Sequence, residues 1–453
     1  MPMDADVSRG ARVFSLVWFG QFVSLIGSSL TSFALGVWVY ERTGSTTQFA
    51  LISFFIAVPG LLMSPVAGAL VDRWDRRLAM MLSDTGAACS TLFIAVLLLA
   101  GRLDTWHIYL AVGVSAVFTS FQYPAYMAAI TLLISKKHYA RASGLVSLAG
   151  ALSYLVAPAL GGLLLVTIHL SGVILIDFAT FLVSLFTLGV VRFPPPPASA
   201  EGKQGDGSLL REAAYGWFYI RARQGLLALL IVFALANLFI GLASVLMVPL
   251  ILSFTSVKVL GAIGSISASG FLVGGAVMSI WGGPKRRISG ILAFGGASGL
   301  TLAAAGLSPS IPLVAGALWG LFFCGVMIDA CSQAIWQSKV APDVQGRVFS
   351  VRSMIAQSTL PLAYLLAGPL ADSGFEPLLT PGGPLAHSVG RVLGTGSGRG
   401  TGLLFIVLGM ALLLTIVGGA LYPHLRNVED ELPDHAARGP SEPESVVKAP
   451  AAL

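Results

Sequence analysis

From Phe49 to Gly68 the chain runs through twenty residues without a charge, and comparable runs recur from one end of the sequence to the other. A helix rises 1.5 Å per residue, so about 20 apolar residues cross the roughly 30 Å hydrocarbon core of a bilayer. Only 11% of the 453 residues are charged and 55% are apolar, whereas soluble chains carry about 25% charged residues and no series of long apolar runs. Apolar residues spread this evenly do not suit a single soluble core. The sequence describes an all-α membrane protein that crosses the bilayer many times.

Breaking the chain at charges, Pro/Gly clusters and polar turns predicts twelve spans: 13–40, 48–71, 78–100, 107–134, 142–168, 172–192, 225–252, 258–281, 288–307, 311–337, 347–371 and 401–423. Only HLSG, residues 169–172, marks the turn between the fifth and sixth. Cytoplasmic loops of membrane proteins are rich in Lys and Arg, and that rule tests the count. With the N-terminus inside, inner segments hold 22 of the 27 basic residues, and the outer ones hold only Arg42, Arg102, Lys258, Arg391 and Arg399. An even number of spans follows, with both termini cytoplasmic. The net charge of +6 then reflects orientation, and no nucleic acid partner is needed to explain it. Arg9 and Arg12 precede an apolar run with no small-residue cleavage site after it, so the first run is expected to be a retained helix. Cys89, Cys324 and Cys331 lie inside apolar runs without metal-type spacing, and the six histidines are scattered, so no metal site is expected.

The expected organisation is a cytoplasmic N-terminus (1–12), a six-helix half (13–193), a cytoplasmic linker (194–224), a second six-helix half (225–425) and a disordered cytoplasmic tail (426–453). The linker opens on four consecutive prolines and a Gly/Ser/charged stretch, which cannot enter a bilayer. Its later part, LLREAAYGWFYIRAR, mixes aromatic and basic residues as a helix lying on the inner membrane surface does. The halves also echo each other. Ser-Lys at 135–136 and Pro158 recur 203 residues later at 338–339 and Pro361; Gly60 and Arg76-Arg77 recur 210 residues later as Gly270 and Arg286-Arg287. A duplicated six-helix unit, with its repeats related by an axis along the membrane normal, accounts for these matches.

Between the second and third spans stands GALVDRWDRR, residues 68–77. It resembles the loop G-x-x-x-D-[RK]-x-G-[RK]-[RK] of the major facilitator superfamily: Gly68, Asp72, Arg73, Arg76 and Arg77 match, and Asp75 replaces the glycine. A bacterial exporter subgroup that includes the enterobactin exporter and the macrolide efflux proteins commonly reads D-R-x-D-R-R. FGQFVSLIGSSLTSFALGVWVYERTGS (19–45) and GRVFSVRSM (346–354) are similar to that subgroup's first helix and start of helix 11. Physically, Gly68 permits close approach of helix 2 to a neighbour, Asp72 suits the positive end of an opposing helix, and the arginines suit anionic lipid heads. The resemblance implies that the partner is helix 11 and that the contact is a conformational latch; a stop signal alone would explain the arginines but not Asp72. APALGG (157–162) is similar to the G-P-x-x-G-G tail of the antiporter motif, with Ala157 for the first glycine. Its Pro158 bends a helix and Gly161 and Gly162 allow close packing, as a pivot or seal requires.

Ionisable groups inside a membrane are costly and mark function by default. Asp329 and Asp177 qualify, and either could carry a proton; satisfaction by neighbouring hydroxyls or amides is the plainer alternative. Gln21, Asn237, Gln333, Gln337 and Gln357 could line a cavity or bond between helices. Asp84 is expected to pair with Arg76 or Arg77. The fourth span lacks the arginine that many proton antiporters of this family place there. Residues 375–400 form a long outer loop, either a cap over an exit path or a flexible linker, whose GTGSGRG lacks nucleotide-binding spacing. No ATP-binding motif exists in the chain, so the proton gradient is the expected energy source and no cofactor is expected. The resemblance implies a secondary efflux transporter, not an enzyme, carrying an amphipathic small molecule (a siderophore, macrolide or peptide natural product) across the bacterial inner membrane as a monomer. A lysophospholipid flippase or nutrient importer of the same fold is the alternative. Paired acidic or His-rich motifs at one membrane face, which a membrane enzyme would need, are missing.

Overall fold

A computed structural model describes residues 2–134, 139–191, 193, 216–340 and 345–432, which contain helices and no strand. Six helices precede the linker: α1 (Pro2–Thr43), α2 (Thr46–Arg73), α3 (Arg76–Leu99), α4 (Thr105–Thr119), α5 (Gln122–Leu133) and α6 (Tyr139–Val190). Six long ones follow it among the described residues, besides short helical turns: α7 (Gln224–Leu252), α8 (Val257–Trp281), α9 (Arg287–Leu307), α10 (Ile311–Lys339), α11 (Gln345–Pro369) and α12 (Arg399–Leu421).

Among the described residues, ten helical stretches are long and apolar enough to cross a membrane, and two local features reconcile ten with twelve. The predicted fourth span is broken into α4 and α5. Pro124 stands in the first turn of α5, where its ring would meet the carbonyl of Ser120 four residues earlier if the helix ran through. The hydroxyls of Thr119 and Ser120 donate to the carbonyls of Ala116 (3.3 Å) and Val117 (2.7 Å) at the break. Conversely, α6 has 52 residues, about 78 Å of helix, more than twice the bilayer core. It is two arms joined at His169, whose φ of 58° and ψ of 178° are not helical. Trp18 donates to the Leu145 carbonyl and Gly161 abuts Phe33, whereas Gln21 reaches Ser184 and Ser28 reaches Asp177. The first arm therefore runs parallel to α1 and the second antiparallel to it, which makes six crossings on each side of the linker.

Apolar side chains turn outward as a bilayer requires: Ile280 is 88% exposed, Leu421 78% and Phe186 71%. The repeat is visible in contacts as well as sequence. A Cβ on Gly60 of α2 would face the Ala116 carbonyl of α4 at 3.7 Å, and one on Gly270 of α8 would face the Trp319 carbonyl of α10 at 2.5 Å. Asp75 caps α3 through the amides of Arg77 and Leu78, and Glu429 caps α9 through those of Arg287 and Ile288. The end of the molecule that carries Arg76, Arg77, Arg286 and Arg287 is called the basic face below.

Three boundaries differ from expectation. The first helix already begins at Pro2, so residues expected as a cytoplasmic lead-in continue α1. The tail expected to be disordered from 426 is folded through 432: the ammonium of buried Lys339 donates to the carbonyls of Glu429 and Leu432 (2.5 and 2.6 Å), and Arg286 pairs with Asp430. These bonds close the C-terminal half upon itself. The long loop 375–400 is folded, not a free linker: Glu376 accepts from the amides of Gly398 (2.5 Å) and Thr401 (3.1 Å), and Arg399 donates to the Gly306 carbonyl. In the linker, residues 194–215 lie outside the described residues; 216–221 are helical, and Ile220 is fully buried against the C-terminal half.

Candidate functional site

On α10, Asp329, Gln333 and Trp336 recur at i, i+4 and i+7, which aligns them on one helix face. That face, with Asn237 of α7 and Phe349, Arg352 and Gln357 of α11, lines a cavity of about 500 Å³ within the C-terminal half. Its walls come from the first turns of α7 and α11 and the last turns of α10, so it lies in the membrane half nearer the basic face. Arg352 is the organising group. Its two terminal nitrogens donate to Gln333 Oε1 (2.9 Å) and Ser332 Oγ (3.2 Å), and its guanidinium carbon stands 5.1 Å from the Trp336 ring centroid. A guanidinium spread over an aromatic face keeps its charge in a region of low dielectric. Asp329 faces the same cavity, and Asn237 bridges to α11 through the Ala356 carbonyl at 2.9 Å. Four polar residues singled out from sequence, Asn237, Asp329, Gln333 and Gln357, are thus brought together.

The sequence reading missed Arg352: it was counted among the basic residues of the inner segments, although it falls within the predicted span 347–371. It stands seven residues into α11, about 10 Å from the helix start. A seven-residue step from the helix's first residue was the signal that could have placed it within the bilayer.

The other two candidates lie apart, in the N-terminal half. Gln21 donates to Asp84 Oδ2 (2.9 Å) and Ser184 Oγ (2.7 Å), Ser184 donates to Asp84 (2.7 Å), and Gln122 donates to Gln21. The expected pairing of Asp84 with Arg76 or Arg77 is therefore replaced by a buried amide–hydroxyl network. Helix direction explains why: Asp84 turns into the bundle, while the Arg77 side chain reaches along α3 to the Leu188 and Gly189 carbonyls that α6 leaves free at its end (2.6 and 2.7 Å). Asp177, 2% exposed, accepts from Ser28 and Thr91, both at 3.2 Å.

Gly68, Asp72 and Arg73 fall on the last turns of α2, and their side-chain surroundings lie outside the described residues. Arg76 is half-buried, with Nε and Nη1 unpaired among the described residues. APALGG packs where the halves meet. A Cβ on Gly261 of α8 would stand 2.4 Å from the Pro158 carbonyl, one on Gly162 3.0 Å from the Val257 carbonyl, and Ser265 donates to the Leu155 carbonyl at 2.8 Å. The helix continues through Pro158 without a non-helical residue, and its carbonyl takes part in the crossing. Alongside, Asp372 beyond α11 caps the start of α2, accepting from the Thr46 and Thr47 amides (3.2 and 2.8 Å) and the Ser45 and Thr47 hydroxyls (3.1 and 2.8 Å). Both contacts join the two halves at the end opposite the basic face. The two halves are thus held together at the end of the molecule away from the cavity.

Two six-helix repeats, joined at one face over a polar intramembrane cavity, define a multi-pass membrane transporter. The chain belongs to the Major Facilitator Superfamily, which matches residues 17–364. It is 30% identical over 369 residues to macrolide efflux protein A of Streptococcus pyogenes, covering 79% of this chain and 89% of that one. It is 28% identical over 194 residues to the enterobactin exporter of Shigella flexneri, covering 42% and 46%. Among solved structures, a bacterial homolog of the human lysosomal transporter Spinster superposes with a TM-score of 0.71 at 15% identity, covering 96% of this chain and 99% of that one.

Proposed function

We propose that this protein exports an amphipathic small molecule of the siderophore, macrolide or natural-product peptide class by alternating access, in exchange for protons. The relatives named for macrolide efflux and enterobactin export support the direction and the substrate class. The observation that carries the reading is the cavity of Asp329 and Arg352, with apolar walls from Phe233 and Phe349 and a seal at the far face. The basic face is the cytoplasmic one, and substrate enters there. Asp329 carries the proton, and Arg352 is its counter-charge when the proton has left. Aromatic walls take the apolar body of the substrate, while Asn237, Gln333 and Gln357 take its polar groups. Asp72, with Gly68 and the arginines of residues 73–77, latches the cytoplasmic side in the alternate state. The protein acts as a monomer in the cytoplasmic membrane of a bacterium, with both termini inside.

Inverted membrane vesicles with an imposed pH gradient and a labelled macrolide test this. Wild type accumulates the label, and Asp329→Asn, expressed at the same level, loses gradient-driven accumulation while still exchanging label across the membrane. Undiminished accumulation by Asp329→Asn, or accumulation indifferent to the pH gradient, would overturn the assignment.

A further inference from the structure

The N-terminal half contains a second cavity, of about 180 Å³, with a cluster of hydroxyls and one carboxylate on an otherwise apolar wall, that the export reading does not use. Its walls are unusual in composition: Ser28 and Thr31 of α1, Thr91 of α3, Ser115 and Thr119 of α4, and Asp177 of α6 all line it. An ionised carboxylate that is 2% exposed needs a counter-charge or a proton. No Lys, Arg or His stands within ion-pair reach of Asp177 among the described residues. Its two oxygens instead accept one hydroxyl each, Oδ1 from Ser28 and Oδ2 from Thr91. A hydroxyl has one hydrogen and two lone pairs, so each donation to Asp177 leaves oxygen lone pairs free for another partner. Thr31 joins them: its side chain is 6% exposed and lines the cavity, and its hydroxyl bears on the Asp177 carboxylate without a hydrogen bond of regular geometry.

We propose that this cavity binds a monovalent alkali cation, with sodium as the natural occupant, held by Asp177 and the hydroxyl oxygens of Ser28, Thr31 and Thr91. Hard cations take carboxylate, hydroxyl and water oxygens, the only polar atoms these side chains offer. Charge balance selects the valence. One carboxylate neutralises one positive charge, whereas a divalent ion would leave a net charge buried in the bundle. Gly27 lets α1 approach closely enough to bring the hydroxyls to the carboxylate, since a Cβ there would stand 2.2 Å from Thr180 Oγ1 and 3.0 Å from Asp177 Oδ1. The ion ties α1, α3 and α6 together, and it is separate from the proton assigned to Asp329 in the other half.

The full chain, purified in detergent, is tested by equilibrium binding of radioactive sodium and by thermal denaturation in sodium chloride against choline chloride at fixed pH and ionic strength. Wild type is expected to bind sodium saturably and to denature at a higher temperature in it. Asp177→Asn should lose both effects, and Thr31→Val, which keeps the carboxylate, should weaken binding by about tenfold. Equal behaviour of wild type in sodium and choline, with stability following pH alone, would overturn the proposal in favour of a protonated Asp177. Retention of sodium binding by Asp177→Asn would also overturn it. Proton-driven export measured in sodium-free vesicles reads the other half, so the two proposals fail separately.

Discussion

Arg352 organises the polar cavity of the C-terminal half, donating to Gln333 and Ser332 with its guanidinium over the Trp336 ring. Asp329, Asn237 and Gln333 could be picked out because a polar group in a long apolar run is conspicuous. Arg352 was not, because a basic residue near a span's end reads equally well as a loop charge, although the predicted span 347–371 already contained it and the helix start at Gln345 sets it deeper. Asp84 failed differently. Its distance from the arginines in sequence was right, but helix rotation turned it toward Gln21 and Ser184. His169 was seen only as part of a short polar interval, and in the structure it takes a conformation that glycine adopts freely and other residues at a cost of about 1–3 kcal/mol. His169→Gly is accordingly expected to raise stability by about 1 kcal/mol despite glycine's freedom in the unfolded chain. Thermal or denaturant unfolding in detergent checks this, and a lower midpoint would mean that His169 makes a contact worth more than its strain.

Among the elements, the α6–α8 crossing concentrates the contact between halves. Gly162, Gly261 and Gly264 let two backbones touch at Pro158, and no side chain can be added at Gly261 without pushing against a carbonyl. Gly261→Ala is therefore expected to disfavour the sealed arrangement by about 1–3 kcal/mol, while each half still folds. A cysteine introduced at Val257 should then react faster with a membrane-impermeant thiol reagent added from the outside; an unchanged rate would show that the helices can part slightly at little cost. The sequence indicated that APALGG was a close-packing site, yet it could not name the partner, since glycine advertises proximity without specifying to what. The break between α4 and α5 had its signal in Pro124, but an apolar run without charge read straight through it.

For the whole molecule, the proposed alternating-access cycle requires that what holds the halves together on one face come apart in the other state. Asp372 is the most polar part of that seal, with a charge at the positive end of α2 and four donors directed to it. Asp372→Asn keeps an acceptor and loses the charge, which should weaken closure by about 1 kcal/mol, or about fivefold in population. Spin-label distances between the outer ends of α2 and α11 should then show a larger open fraction; an unaltered distribution would assign the closure to the glycine crossing alone. The count of twelve crossings, the repeat and the family were legible because they are written in many residues at once. The seal was not, because it joins Thr47 to Asp372, positions 325 residues apart with no shared pattern.

The cap on α9 has a consequence for how the molecule is made. Arg287 begins that helix, and its amide is satisfied by a carboxylate 142 residues further along. At the usual pace of about 5–20 residues per second, a ribosome needs about 7–28 s to supply it. During that interval the first amides of α9 lack this partner. The cap is therefore complete only after the segment beyond α12 has been made.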